Sequence, residues 1–193
     1  MVHFIDHWLG MVWMVFALVW LGAAFTAKRS VQRQTYGSRI LQSSIMLIGV
    51  LFIFNFLDSF SRHGWLETRL VPHTGVWVLA GAALCVAGIL ICFWARAILG
   101  ANWSGTVTIK QNHELILRGP YTLVRHPIYT GLLVALFGSA AVYGLLRCFI
   151  GVFICGIGLW LKLRIEERFM VQQFGDQYTK YRQRTRALVP FVL

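Results

Sequence analysis

The sequence predicts an all-α integral membrane protein with about five transmembrane helices, and three observations support this. Of 193 residues, 58% are hydrophobic and only 13% are charged, whereas about a quarter of the residues in soluble domains are charged. Long apolar runs recur at lengths close to the roughly 20 residues that cross about 30 Å of hydrocarbon. Basic residues lie mainly after alternate runs, as the positive-inside rule requires of a multi-pass protein.

Five apolar runs are the predicted spans. They cover residues 8–27, 40–57, 74–95, 128–146 and 148–161. The last run is short, and it reaches residue 165 only if Lys162 and Arg164 extend their charged groups to the interface. A single residue, Arg147, separates the fourth and fifth runs. These two spans are therefore predicted to form a tight helical hairpin.

The distribution of Lys and Arg predicts the orientation. Of the 18 basic residues, 15 follow the first, third and fifth runs, and three follow the second and fourth. This asymmetry places the amino terminus outside and the carboxyl terminus in the cytoplasm. The net charge of +11 then indicates contact with anionic lipid rather than with nucleic acid.

The chain is predicted to form a single membrane-embedded domain, residues 1–193. Residues 1–95 supply three spans, and residues 96–193 supply a long cytoplasmic connection, the hairpin and a C-terminal amphipathic helix. In the connection, residues 106–109 and 115–117 flank a polar turn and suggest a small β-hairpin. Gly175 is expected to interrupt the C-terminal helix. The four cysteines lie in apolar runs without metal-ligand spacing, so no metal site is predicted.

One stretch, GPYTLVRHPIYTG at residues 119–131, is unusually rich in polar and helix-breaking residues. Gly119 and Pro120 predict a turn, and Pro127 suits the first position of a helix. The free N–H groups of that helix, together with Arg125 and His126, predict a donor-rich pocket for a carboxylate or phosphate. The alternative is an ordinary basic loop beside the membrane.

A second stretch, KLRIEERF at residues 162–169, carries two of the seven acidic residues. Glu166 and Glu167 can be surface charges paired with Lys162, Arg164 and Arg168 at helical spacing. The other interpretation is that one glutamate turns inward and binds a cation such as an ammonium group.

These two stretches carry a resemblance to a known family. HELILRGPYTLVRHPIYTG, followed some forty residues later by EERFMVQQFGDQYTKYRQRTRALVP, is similar to the isoprenylcysteine carboxyl methyltransferases and to the related phospholipid methyltransferases. The likeness covers roughly residues 96–190. The compact five-span chain resembles a prokaryotic, and more narrowly an archaeal, member.

The resemblance implies an S-adenosylmethionine-dependent integral membrane methyltransferase. It implies a cofactor site between the cytoplasmic connection, the fourth span and the C-terminal helix. The implied cofactor-binding residues are His113, Glu114, Leu115, Ile116, Tyr121, Arg125, His126, Pro127, Ile128, Tyr129, Glu166 and Glu167. Glu166 is the first choice for the cofactor's ammonium group. Lys162 or Arg164 is expected to be the catalytic residue that orients the polar head of the acceptor.

The expected acceptor is a lipophilic molecule whose carboxylate is methylated, such as a prenylcysteine, because the basic residues around the site attract an anion. Methylation of a phospholipid amine is the close alternative. An NADPH-dependent enzyme like the sterol reductases is a further one, although the paired glutamates disfavour a ligand with several phosphates. A small transporter or scaffold is disfavoured because spans one to four lack ionisable residues near their centres.

Overall fold

The computed structural model describes residues 2–25, 30–54, 64–103, 108–110 and 114–190. These ranges contain six α-helices and two short β-strands. In chain order the elements are α1 (Val2–Ala24), β1 (Ser30–Arg33), α2 (Tyr36–Phe54), α3 (Gly75–Leu99), β2 (Thr108–Lys110), α4 (Pro127–Tyr143), α5 (Leu146–Phe174) and α6 (Asp176–Arg184).

The predicted helical membrane fold is confirmed, and the chain is a multi-pass membrane protein. Within the described residues, α2, α3 with its following turn, and α5 are long and apolar enough to cross a bilayer. The apolar part of α1 and the whole of α4 are shorter. At 17 residues, α4 measures about 26 Å, slightly less than the hydrocarbon thickness. The fifth run, predicted as the shortest span, lies instead in the longest helix, α5, of 29 residues.

Glycines bring two pairs of helices into backbone contact. A Cβ atom added at Gly88 of α3 would lie 2.4 Å from the carbonyl oxygen of Gly131 in α4. One added at Gly49 of α2 would lie 2.7 Å from the carbonyl oxygen of Gly151 in α5. Small residues permit this close approach, which stabilises helix pairs in membranes through van der Waals contact. The core is therefore two tight pairs, α3 with α4 and α2 with α5.

The cysteines lie beside these glycines. All four are free and buried. The Cys92 sulfur would lie 2.7 Å from a Cβ added at Gly131, and the Cys155 sulfur 2.4 Å from one added at Gly49. The cysteines are therefore packed between helices.

One end of the bundle, here called the Arg147 end, is fixed by hydrogen bonds. The buried Arg147 side chain, in the first turn of α5, binds Glu67 at 2.8 Å and the carbonyl oxygens of Phe52 and Ile53 at 2.7 and 3.0 Å. Those carbonyls belong to the last turn of α2, which cannot satisfy them within the helix. Gly144, with φ of 69°, supplies the left-handed turn between α4 and α5. The predicted hairpin is thus joined by two residues.

The predicted β-hairpin in the 96–125 connection is wrong in its pairing. Part of the first predicted strand is present as β2, but it pairs antiparallel with β1 from the α1–α2 connection. Residues 115–117 contain no strand. Short apolar runs do not specify their partner, and here the partner lies about 80 residues earlier in the chain. The sheet thereby ties two connections together at the end opposite the Arg147 end.

We expect Gly138→Ala to lower the free energy of unfolding by about 1–3 kcal/mol, the usual cost of overpacking. The added methyl would lie 2.4 Å from the backbone nitrogen of Cys85, so α3 and α4 must separate. Thermal unfolding in detergent measures the effect. Gly156→Ala is the matched control, because its nearest neighbour would be 3.9 Å away and alanine favours helix. Equal stability of the two variants would contradict the close α3–α4 packing.

Candidate functional site

The GPYTLVRHPIYTG stretch has the predicted local structure. Residues Gly119–Thr122 form a tight helical turn, and α4 begins at Pro127, where the missing N–H group costs nothing. His126 immediately precedes the helix and is buried. The turn and the helix start therefore direct Tyr121, His126 and Tyr129 into the protein rather than into solvent.

These side chains border a cavity of about 270 Å³ at the end of the bundle opposite the Arg147 end. The polar side chains that line it come from the connection, the start of α4, α5 and α6. Those residues are Asn102, Glu114, Tyr121, Arg125, His126, Tyr129, Lys162, Glu166, Tyr178 and Tyr181. The apolar residues that line it are Phe16, Trp20, Met46, Leu99, Trp103, Leu115, Ile116, Ile128, Leu132, Leu159, Phe169 and Met170.

Glu166 is held at the cavity wall by two neighbours. The Tyr129 hydroxyl donates a hydrogen bond of 2.5 Å to Glu166 Oε2. His126 Nδ1 lies 3.8 Å from the same oxygen. The His126 and Tyr129 rings stack with centroids 5.3 Å apart and planes 4° apart. The arrangement fixes one carboxylate oxygen and leaves the group facing the cavity, where it can attract a cation.

Glu167 points away from the cavity, because consecutive helix positions differ by about 100° in direction. It accepts a hydrogen bond of 2.6 Å from Arg125 Nε. His126 Nε2 lies 3.5 Å and Arg182 Nε 3.7 Å from its oxygens. Both partners of the main pair are about nine-tenths buried. Glu167 therefore neutralises Arg125 rather than lining the cavity.

The chain after α6, residues 185–188, is attached alongside the start of α4; we call it the C-terminal strap. The Arg125 guanidinium also donates to the carbonyl oxygen of Thr185. Three further hydrogen bonds complete the attachment. They run from Arg125 N–H to Arg186 O at 2.8 Å, from His126 N–H to Ala187 O at 3.0 Å, and from Thr130 Oγ1 to Leu188 O at 2.7 Å.

The strap uses some of the donors that the sequence assigned to an anion pocket at the start of α4. The N–H group of His126 is bonded to the strap, and that of Tyr129 is bonded to the His126 carbonyl oxygen at 2.9 Å. The Arg125 guanidinium is occupied by Glu167 and backbone oxygens. These donors are therefore used within the protein, and the carboxylate of Glu166 lines the cavity beside His126.

Three tyrosines, Tyr121, Tyr178 and Tyr181, line the cavity. Tyr178 and Tyr181 extend from α6 over the cavity, and the Tyr181 hydroxyl donates to the Tyr121 carbonyl oxygen at 2.6 Å. Burial raises the pKa of Tyr121 and of Tyr178 well above its ordinary range, and raises the pKa of Tyr181 to about 12. All three hydroxyls are therefore protonated at neutral pH and can donate hydrogen bonds.

The structure separates the two predicted head-orienting cations. Lys162 lines the cavity, with its Nζ atom 5.6 Å from the centroid of the Tyr129 ring. Arg164 is exposed, does not line the cavity, and lies 5.8 Å from the centroid of the Trp160 ring. Only Lys162 is therefore placed to meet a ligand.

The remaining predicted residues divide similarly. Glu114, Leu115, Ile116 and Ile128 line the cavity, whereas Pro127 is buried behind it as the first residue of α4. His113 lies outside the described residues.

Sequence reasoning missed the wall contributed by α1. Phe16 stacks on Trp20 at 5.0 Å, and Trp20 meets Trp103 edge-on at 5.3 Å. The Arg96 guanidinium lies 4.5 Å from the Trp103 ring and donates to the Ala23 carbonyl oxygen. No local pattern in α1 distinguishes these aromatics from lipid-facing ones. For Tyr178 and Tyr181, the helical spacing of apolar residues after span five was a usable signal.

Together the fold and site define a multi-pass membrane protein with a cavity that is lined by both polar and apolar side chains. The sequence model of the phospholipid methyltransferase family matches residues 76–177, more than half of the chain. The chain belongs to this family.

Relatives with named activities are methyltransferases of several kinds. A protein-S-isoprenylcysteine O-methyltransferase of Schizosaccharomyces pombe is 30% identical over 99 residues, which cover 48% of this chain and 41% of that protein. Protein-S-isoprenylcysteine O-methyltransferase B of Arabidopsis thaliana is 27% identical over 143 residues, covering 71% and 66%. Methanethiol S-methyltransferase 1 of Bradyrhizobium diazoefficiens is 35% identical over 71 residues, covering 37% and 24%.

A solved structure shares the fold. The eukaryotic intramembrane Ras methyltransferase ICMT, an isoprenylcysteine carboxyl methyltransferase, superposes with a TM-score of 0.56 at 22% identity, covering 84% of this chain and 55% of that one. The chain thus spans less than two thirds of the length of this protein and of the three relatives above. The expectation of a prokaryotic source stays a prediction.

We expect Glu167→Gln to release the C-terminal strap and to lower the free energy of unfolding by about 3 kcal/mol or more, because it leaves Arg125 as a buried, unpaired charge. Hydrogen exchange should accelerate at His126 and at the strap. Glu166→Gln is the matched control, since it removes the neighbouring carboxylate but not this pair. Similar exchange at the strap in both variants would show that Glu167 does not hold it.

Proposed function

We propose that the chain is an S-adenosylmethionine-dependent methyltransferase that acts at the membrane interface on a lipophilic acceptor. The observation that carries this proposal is a cavity that is lined both by a fixed carboxylate, Glu166, and by apolar side chains of the spans. A polar, cationic cofactor and an acceptor with a long apolar chain need such opposite surroundings within reach of each other. Family membership supports the reaction class over a reductase, a transporter or a scaffold.

The polar residues that line the cavity fit the proposed cofactor. S-adenosylmethionine carries a sulfonium and an ammonium group, and both are attracted to carboxylates and to aromatic faces. Glu166 is the proposed partner of the ammonium group. Tyr121, His126 and Tyr129 would surround the reacting end, and Glu114 with the two residues that follow it would line the remainder. When bound, the cofactor supplies an activated methyl group on its sulfonium sulfur.

Methyl transfer from sulfur is an in-line displacement, so this chain's residues mainly bind, orient and exclude water. The tyrosines of α6 cover the cytosolic side of the cavity. Lys162 attracts an anionic acceptor head to the part of the wall beside Tyr129. An acceptor carboxylate needs no base, because its pKa is near 4. An amine or thiol acceptor would have to lose a proton, for which buried His126 is the nearest base to Glu166.

Carboxyl O-methylation of a prenylcysteine-like or other lipidic carboxylate is our first choice of reaction. Lys162 lines the cavity beside the Tyr129 ring and favours an anionic head. N-methylation of a phospholipid is the second choice, since Glu114 and Glu166 can attract an amine. The fifteen-to-three basic asymmetry supports a cytoplasmic site and carboxyl terminus, with the amino terminus outside.

The cofactor assignment predicts that Glu166→Gln and His126→Ala each weaken S-adenosylmethionine binding by about 1–3 kcal/mol, the range for losing a charge-assisted or buried hydrogen bond. Calorimetric titration of the purified protein measures it, with NADPH as the competing ligand. Asp176→Asn is the matched control, because it removes an exposed carboxylate that does not line the cavity. Unchanged affinity in folded Glu166→Gln would remove that residue from the cofactor site.

The acceptor assignment is tested with methyl-labelled cofactor offered with a prenylcysteine analogue and, separately, with phosphatidylethanolamine. We expect a base-labile methyl ester from the first and no product from the second. Lys162→Gln should raise the KM for the prenylcysteine analogue by roughly tenfold, the effect of losing one charge-assisted contact, and Lys162→Arg should restore most of it. A stable N-methyl product from phosphatidylethanolamine, without ester, would assign the chain to amine methylation.

A further inference from the structure

An exposed stripe runs along α5 on the side away from the cavity. Its members are spaced three or four residues apart and change in character along the helix. In order they are Phe153, Ile157, Trp160, Arg164 and Arg168, and all five are exposed. The intervening positions Leu159, Leu163 and Glu167 are buried in the protein. We call these five residues the α5 stripe.

The charges of the α5 stripe face outwards. In the described part of the chain, no carboxylate lies within ion-pair distance of Arg164 or Arg168. The Arg164 guanidinium rests against the Trp160 ring, which holds it on the helix surface. Tryptophan is typical of the level at which hydrocarbon meets headgroups. The two arginines lie beyond that level, on the side of the predicted cytoplasm.

The stripe has the dimensions of one leaflet. From Phe153 to Arg168 the helix rises about 22 Å. Half of a bilayer measures about 20–22 Å, of which about 15 Å is hydrocarbon. The apolar, aromatic and cationic parts of the stripe therefore occur in the order and at the depth of acyl chain, interface and phosphate.

We propose that the α5 stripe binds one anionic phospholipid of the cytoplasmic leaflet, with its phosphate between Arg164 and Arg168 and an acyl chain along Phe153 and Ile157. Two arginines one helical turn apart, neither with a carboxylate within ion-pair distance among the described residues, attract net negative charge. They offer no partner to the amine of a zwitterionic headgroup. The site goes beyond the proposed function, because this lipid lies across α5 from the cavity and is not the methyl acceptor.

The test uses the full chain in nanodiscs of equimolar phosphatidylglycerol and phosphatidylcholine. Lipid that stays bound after gentle detergent extraction is identified by native mass spectrometry. We expect retained phosphatidylglycerol on the unaltered chain and a roughly tenfold or greater fall in its affinity for the double variant R164Q/R168Q, since each basic residue near a membrane surface contributes a several-fold effect. R164K/R168K should keep most of the binding because it keeps both charges.

The matched control is K180Q/R184Q, which removes two exposed positive charges from α6 but leaves the α5 stripe intact. It should retain phosphatidylglycerol as the unaltered chain does. Equal loss in both double variants would mean that overall charge, not a discrete site, attracts the lipid, and would overturn the proposal. Undiminished retention by R164Q/R168Q would overturn it as well. Thermal unfolding establishes that each variant is folded, and methyl transfer is not needed for either readout.

Discussion

The buried pair of Glu167 and Arg125 is the interaction on which the site depends. It joins α5 to the chain two residues before the start of α4, and Arg125 in turn holds the backbone of the C-terminal strap. The charge on either partner alone would be costly at this depth, since an unpaired buried charge destabilises a protein by several kcal/mol. Because Arg125 is neutralised in this way, the neighbouring carboxylate of Glu166 is not drawn into the network. It remains available to the cavity.

The sequence predicted those features that are local and periodic. The lengths of the apolar runs predicted the helices. Gly119 and Pro127 predicted the turn and the helix start at the site. The adjacent positions of Glu166 and Glu167 on one helix indicated that the two carboxylates could face different surroundings. Residue spacing alone did not predict which of the two glutamates would face the cavity, because that depends on how α5 is rotated about its axis relative to α4. The pairing of β2 with β1 and the use of the helix-start donors by the strap depend on contacts between distant segments. The length of α5 was underestimated because charged residues after Leu161 ended the apolar run but not the helix.

The polar and the apolar residues that line the cavity come from different parts of the chain. The polar lining residues lie largely within residues 76–177, the segment that matches the family. The apolar lining residues also include Phe16, Trp20 and Met46. These three lie in α1 and α2, which precede that segment. The named relatives act on different acceptors, a prenylated cysteine in some and methanethiol in another. The cavity of this chain is therefore lined by side chains from inside and outside the segment that matches the family.

The hydrogen bonds of Arg147 have a mechanical consequence. They pin the last turn of α2 to the first turn of α5, and the two-residue connection fixes α4 beside them. The cavity lies toward the other end of α5, a helix of 29 residues and about 43 Å in length. Rotation about the pinned end is therefore magnified along the helix: a tilt of about 5° displaces the far end by about 4 Å. Any tilt of α5 about this end would therefore change the width of the cavity.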